Sequence, residues 1–66
     1  MDKTEQCKRV ITDYLAACGP AEYADLLREV KAQAQAPGRM TKAMIELKNE
    51  GAIIFDTEFD CFDLAD

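Results

Sequence analysis

The first candidates for chemistry are three thiols, Cys7, Cys18 and Cys61. They form no C-x-x-C pair, and the sequence holds no histidine, which removes the most common general base and most zinc-binding patterns. With Cys7 and Cys18 on one helix, a rise of about 1.5 Å per residue sets them roughly 16 Å apart, beyond the Cα separation of about 7 Å that a disulfide tolerates. All three read as reduced thiols buried in a core. There is no glycine-rich phosphate loop, and no local motif points to a carboxylate pair, an activated cysteine or a low-pKa lysine. The chain is expected to be no enzyme and to use no metal and no cofactor.

A second set of side chains could recognise rather than react, and its placement depends on the elements that carry it. Cys7, Val10, Ile11, Tyr14, Leu15 and Cys18 recur at helical spacing, one apolar stripe on a first helix running from Lys3 to about Ala17. Gly19 and Pro20 end it. A second stripe, Tyr23, Leu26, Leu27 and Val30, begins near Ala21 and runs into an Ala-Gln stretch, with a break expected between Gln33 and Pro37. The third helix follows, with Met40, Ala43, Met44 and Leu47 inward and Gly51 as its stop. Beyond Gly51, Ile53 to Phe55 and Phe59 to Leu64 are β-prone runs around Asp56-Thr57-Glu58 that suggest a hairpin, and the absence of the Asn-Gly or Asp-Gly of a tight two-residue turn leaves room for a longer loop.

The expected fold is α+β, mainly α: a three-helix core with a C-terminal β-hairpin, one domain over residues 1–66. Its core should gather Val10, Ile11, Leu15, Leu26, Leu27, Met44, Leu47 and Ile53, with Phe55 and Phe62 closing it against the first helix. In the second strand, alternation places Phe62 and Leu64 on one face and Phe59 and Cys61 on the other. No apolar run approaches the roughly 20 residues that span a bilayer, and the start Met-Asp-Lys-Thr-Glu lacks the order of a signal peptide, so the chain is expected to be cytoplasmic, with no membrane partner.

The segment Pro37-Gly38-Arg39-Met40-Thr41-Lys42-Ala43-Met44-Ile45-Glu46-Leu47-Lys48-Asn49-Glu50-Gly51-Ala52-Ile53 resembles the recognition helix and first wing strand of winged helix-turn-helix domains. A proline opens the helix, apolar residues stand at 40, 44 and 47, and a polar run ends in glycine and an apolar strand. The resemblance implies contact with double-stranded DNA through the third helix and a role in transcription regulation. Two departures stand out: an Ala-Gln segment replaces the tight glycine turn between the second and third helices, and the wing carries no Lys or Arg.

Charge separates the two readings that follow. Residues 1–48 hold all 8 Lys+Arg and 7 of the 13 Asp+Glu, a net of +1, whereas residues 49–66 hold the other six acids, a net of −6. On the third helix Arg39, Thr41, Lys42, Ile45, Glu46 and Asn49 should face outward. The leading reading takes Arg39, Thr41, Lys42 and Ile45 as a DNA-contacting set, with the basic pair on guanine edges or phosphates and Ile45 on a thymine methyl. An acidic wing would be repelled by the phosphates that such binding depends on. The alternative is a winged-helix protein-interaction module in which Ile45, Asp56, Glu58, Phe59, Asp60 and Asp63 bind a basic protein partner or mediate self-association as a homodimer.

Overall fold

The computed structural model describes residues 2–65. Three helices, α1 (Lys3–Cys18), α2 (Tyr23–Gln33) and α3 (Met40–Asn49), precede a hairpin of β1 (Ile53–Asp56) and β2 (Cys61–Leu64), and a 3-10 turn over Pro37–Arg39 leads into α3. This is the α+β, mainly α, layout expected from the sequence, with the element order of a winged helix. No helix among the described residues is long and apolar enough to cross a membrane.

Local signals account for most boundaries. The Asp2 carboxylate accepts from the Thr4 amide at 3.2 Å and caps α1. Gly51, at φ 74°, turns the chain out of α3, and the Ala52 amide reaches back to the Leu47 carbonyl at 2.9 Å. At the end of α2 the left-handed position is taken by Gln35, φ 54°, in place of glycine. That conformation costs a side-chain-bearing residue, and α1 braces the segment after it. Lys3 Nζ donates to the Ala34 carbonyl at 3.2 Å, Cys7 Sγ to the Ala36 carbonyl at 3.5 Å, and Arg39 Nη1 to Thr4 Oγ1 at 3.5 Å.

The second helix begins later than its stripe suggested. Ala21 is extended and bridges Phe62 of β2, each amide donating to the other's carbonyl, at 3.0 Å from Ala21 and 2.7 Å from Phe62. The hairpin is thereby attached to the α1–α2 connection as well as to the end of α3. Its register pairs Ile53 with Leu64, Ile54 with Asp63, Phe55 with Phe62 and Asp56 with Cys61. Ile53, Phe55, Phe62 and Leu64 therefore share one face, and Ile54, Asp56, Cys61 and Asp63 the other. The loop has four residues. Asp56 Oδ1 accepts from the Glu58 amide at 2.9 Å and the Phe59 amide at 3.4 Å, and Asp60 takes a left-handed φ of 58°, which aspartate tolerates better than most residues.

The core contains Cys7, Ile11, Leu15, Ala21, Leu26, Val30, Ala34, Met40, Ala43, Met44, Leu47 and Ile53. Val10 and Leu27 belong to its half-buried margin rather than its centre, because each lies one position, about 100° of helix, from a fully buried neighbour. Thr4 joins the buried stripe of α1 one turn before Cys7. The expectation of three buried thiols holds for Cys7 alone. Cys18 is exposed and Cys61 half-buried, all three being free. Ala16, Ala17 and Cys18 are all exposed, so the last turn of α1 runs past the layer that covers Leu15.

These burial differences set the expected response to truncation. Leu47→Ala, at the centre of the core, should lower unfolding free energy by roughly 2–5 kcal/mol, and Leu27→Ala at the margin by about 1 kcal/mol. Urea melts check the order; equal losses would place Leu27 at the centre.

Candidate functional site between the third helix and the hairpin

The inner face of the hairpin carries a row of aromatic rings. Phe55 and Phe62, paired across the strands, have ring centroids 4.8 Å apart, and Tyr23 of α2 lies 6.5 Å from Phe62 on its other side. Both pairs are tilted, an arrangement suited to the charge distribution of aromatic rings. Opposite the row stands the flank of α3 formed by Thr41, Met44, Ile45 and Lys48, spaced three and four residues apart. The two sides enclose an open groove of about 310 Å³ whose lining is mainly apolar.

Three exposed large apolar residues line this groove, Tyr23 at 41%, Ile45 at 53% and Phe55 at 39%, while Phe59, 69% exposed, stands at the hairpin tip and Ile54, 51% exposed, on the outer hairpin face. Tyr23 was expected on the inward stripe of its helix, and Phe55 was expected to close the core. Both face the groove instead, because Phe62 and Leu64 fill the space beside the core. Lys48 is a lining residue that periodicity missed. Its signal was available, since it lies one turn after Met44 and two turns after Thr41 on the same helix flank.

The residues proposed for DNA contact separate in the structure. Thr41 and Ile45 line the groove, Lys42 is exposed, and Arg39 belongs to the 3-10 turn, where its guanidinium reaches back to Thr4. Glu46 does not share the outward face assigned to it. It is half-buried toward α1, where Lys8 Nζ sits 3.3 Å from its Oε1, 3.1 Å from Glu5 Oε2 and in a close ion pair with Glu50. The carboxylates, Glu50 first and Glu5 next, hold the Lys8 ammonium protonated well above its ordinary 10.5.

The acidic set of the alternative reading is largely brought together. Asp56 and Asp63 stand on the outer hairpin face, with Glu58, Phe59 and Asp60 in the loop that joins the strands. Desolvation first, then the negative charges of Glu22, Asp56, Asp60 and Asp25, push the Cys61 thiol above its usual range. The α2 start and the hairpin thus present one negative surface around a thiol that stays protonated and weakly nucleophilic. Burial likewise raises the Cys7 thiol, against the opposing charges of Lys3 and Arg39. Among the described residues, no group of three or more acids or thiols is placed to hold a metal ion. The cleft beside Lys8 is lined mostly by charged and polar residues, Glu5, Arg9, Thr12 and Asp13 with Leu47, and its lysine is already engaged.

The Lys8 cluster joins α1 to α3 and should leave a pH signature. A lysine whose pKa is raised by folding stabilises the fold fully below about 10.5 and loses that contribution as pH rises toward the folded value. Lys8→Gln should lower the urea midpoint at about pH 8, and its gap to wild type should narrow between about pH 10.5 and 12. A gap that is absent, or unchanged across that range, would contradict the cluster.

Comparison of the chain with protein-family models, with curated proteins and with solved structures gives no match, so the functional reading is built on this geometry.

Proposed function

We propose that the chain is a small protein-interaction module of winged-helix-like architecture that uses the groove between α3 and the hairpin to seat apolar side chains of a protein partner. The observation that carries this reading is the convergence of Tyr23, Met44, Ile45, Phe55 and Phe62 from four separate elements on one open apolar groove. Aromatic and aliphatic side chains gathered in a concavity are what interface centres are made of. A scattered exposed isoleucine would need no explanation, whereas a contiguous patch does. At about 310 Å³ the groove lies at the lower end of the range for small-molecule pockets and is open, a shape better matched to side chains than to an enclosed ligand.

Electrostatics supports the same reading. Lys8 is held by three carboxylates and Arg28 lies 3.4 Å from Asp25, while Arg39 leans on Thr4. A duplex laid on α3 would meet Lys42 and Lys48 with an acidic hairpin beside them, and two phosphate contacts give only a shallow salt dependence, with a slope of about −2. DNA binding and transcription regulation through α3 have one specific support. Glu46 and Glu50 are drawn to Lys8, so the outward face with Thr41, Lys42, Lys48 and Asn49 is free of carboxylates.

One pair of titrations distinguishes the two. With ¹⁵N-labelled protein at about 20 mM salt, indole, a stand-in for an apolar anchor, should shift the amides of Tyr23, Ile45, Phe55 and Phe62, while a random duplex leaves the spectrum unchanged. Duplex-induced shifts centred on Thr41, Lys42 and Asn49, with none from indole, would transfer the function to DNA.

A further inference from the structure

Strand alternation keeps the acids of the hairpin strands off the aromatic row. Asp56, Cys61 and Asp63 stand on the outer hairpin face, Phe55 and Phe62 on the inner one, and no carboxylate lines the groove. Its one charged lining residue is Lys48, and its other polar residues, Thr41 and Tyr23, carry hydroxyls that can donate to an anion. The charge an occupant meets is therefore set by α3. Along the exposed ridge of that helix Lys42, Ile45 and Lys48 follow at three-residue steps, which places the half-exposed isoleucine between two ammonium groups. Neither lysine forms an ion pair among the described residues. Glu46, the i+4 neighbour that could neutralise Lys42, is held by Lys8 on the α1 side.

An occupant must satisfy both the apolar lining and these lysines. Duplex DNA offers anions to Lys42 and Lys48 but no apolar side chain for the row of Tyr23, Phe55 and Phe62. The hairpin loop of a second copy, Glu58-Phe59-Asp60, has the right chemistry but offers a single ring. One aromatic side chain buries about 150–250 Å², short of the roughly 1,200 Å² of a stable association, and copies of net charge −5 repel one another. A segment of a different protein can supply several anchors together with carboxylates.

Resting on the groove reading above, we propose that the occupant is an acidic apolar segment of another protein. Two or three large apolar side chains sit between α3 and the aromatic row, and Asp or Glu residues beside them face Lys42 and Lys48. The anchors supply most of the affinity. The carboxylates set the orientation, with the acidic edge of the segment along α3 and away from Glu58 and Asp60 of the hairpin loop. Exposed ion pairs contribute modestly, so their signature is a preference among segments rather than the bulk of binding.

The test is selection of a displayed random library of peptides about twelve residues long on the folded protein at about 50 mM salt, with Ile45→Asp as the parallel control. The enriched peptides should combine large apolar residues with an excess of Asp and Glu. A synthetic representative should bind Ile45→Asp roughly tenfold or more weakly, and the double variant Lys42→Gln, Lys48→Gln roughly threefold more weakly. Its version with every Asp and Glu changed to Asn and Gln should bind wild type and the double variant alike, a cycle that separates local pairing from the net charge of the chain. Neutral or basic enriched peptides, or a representative indifferent to the lysine changes, would overturn the charge assignment and leave the groove reading standing. Enrichment no better than on Ile45→Asp, or none at all, would overturn both. Displacement of the peptide by random duplex DNA would assign the lysines to phosphates, and a wild-type dimer in sedimentation that Phe59→Asp disperses would give the groove to a second copy; either overturns the proposal. Circular dichroism establishes that each variant is folded.

Discussion

Two hydrogen bonds between Ala21 and Phe62 decide how this molecule presents itself. A lone two-stranded hairpin is marginal in water, and β1 and β2 have four residues each. The reciprocal bonds of the Ala21–Phe62 bridge add a third extended segment to its β2 side. The hairpin is then held at two ends of the helical core, by the short connection from α3 and by the α1–α2 turn. Phe62 is left between Tyr23 and Phe55, and the rings face α3 across a groove. Had the hairpin hung from α3 alone, the aromatic row would lose its third member and the groove its far wall.

Opposite charges are sorted around this frame. Lys8 gathers Glu5, Glu46 and Glu50 on the α1 side of α3, which frees the outward and groove-side flanks of that helix from carboxylates. The N-terminal turns of α1 are occupied in bracing the α2–α3 connection through Lys3, Thr4 and Cys7. Four of the eight cations, Lys3, Lys8, Arg28 and Arg39, make internal contacts, and among the described residues the acids of the hairpin form no ion pair.

Much of the architecture was legible in the residue order because local rules set it. The stripe of α1, the inward set Met40, Ala43, Met44 and Leu47, the stops at Gly19 and Gly51, and the hairpin faces all follow from periodicity and backbone preference. What escaped was decided by contacts distant in sequence. Ala21 favours helix by propensity, yet its pairing with Phe62, 41 positions away, keeps it extended. Cys18 lies on its stripe but beyond the layer that would cover it. Glu46 looked like a surface residue until α1 supplied Lys8. The candidate site was half visible: Ile45 and the acidic hairpin were singled out, while Tyr23 and Phe55, as large apolar residues on β-prone or amphipathic stretches, were indistinguishable from core.

Amide hydrogen exchange at Ala21 and Phe62 tests most directly whether the hairpin is bound to the helical core. If the bridge organises the groove, both amides exchange only through unfolding of the whole domain, with protection approaching that of core amides such as Ile11 and Leu47. Exchange of Ala21 and Phe62 at the rate of the exposed loop amides around Thr57, while Ile11 and Leu47 stay protected, would mean that the hairpin opens independently and that no fixed groove exists for a partner to occupy.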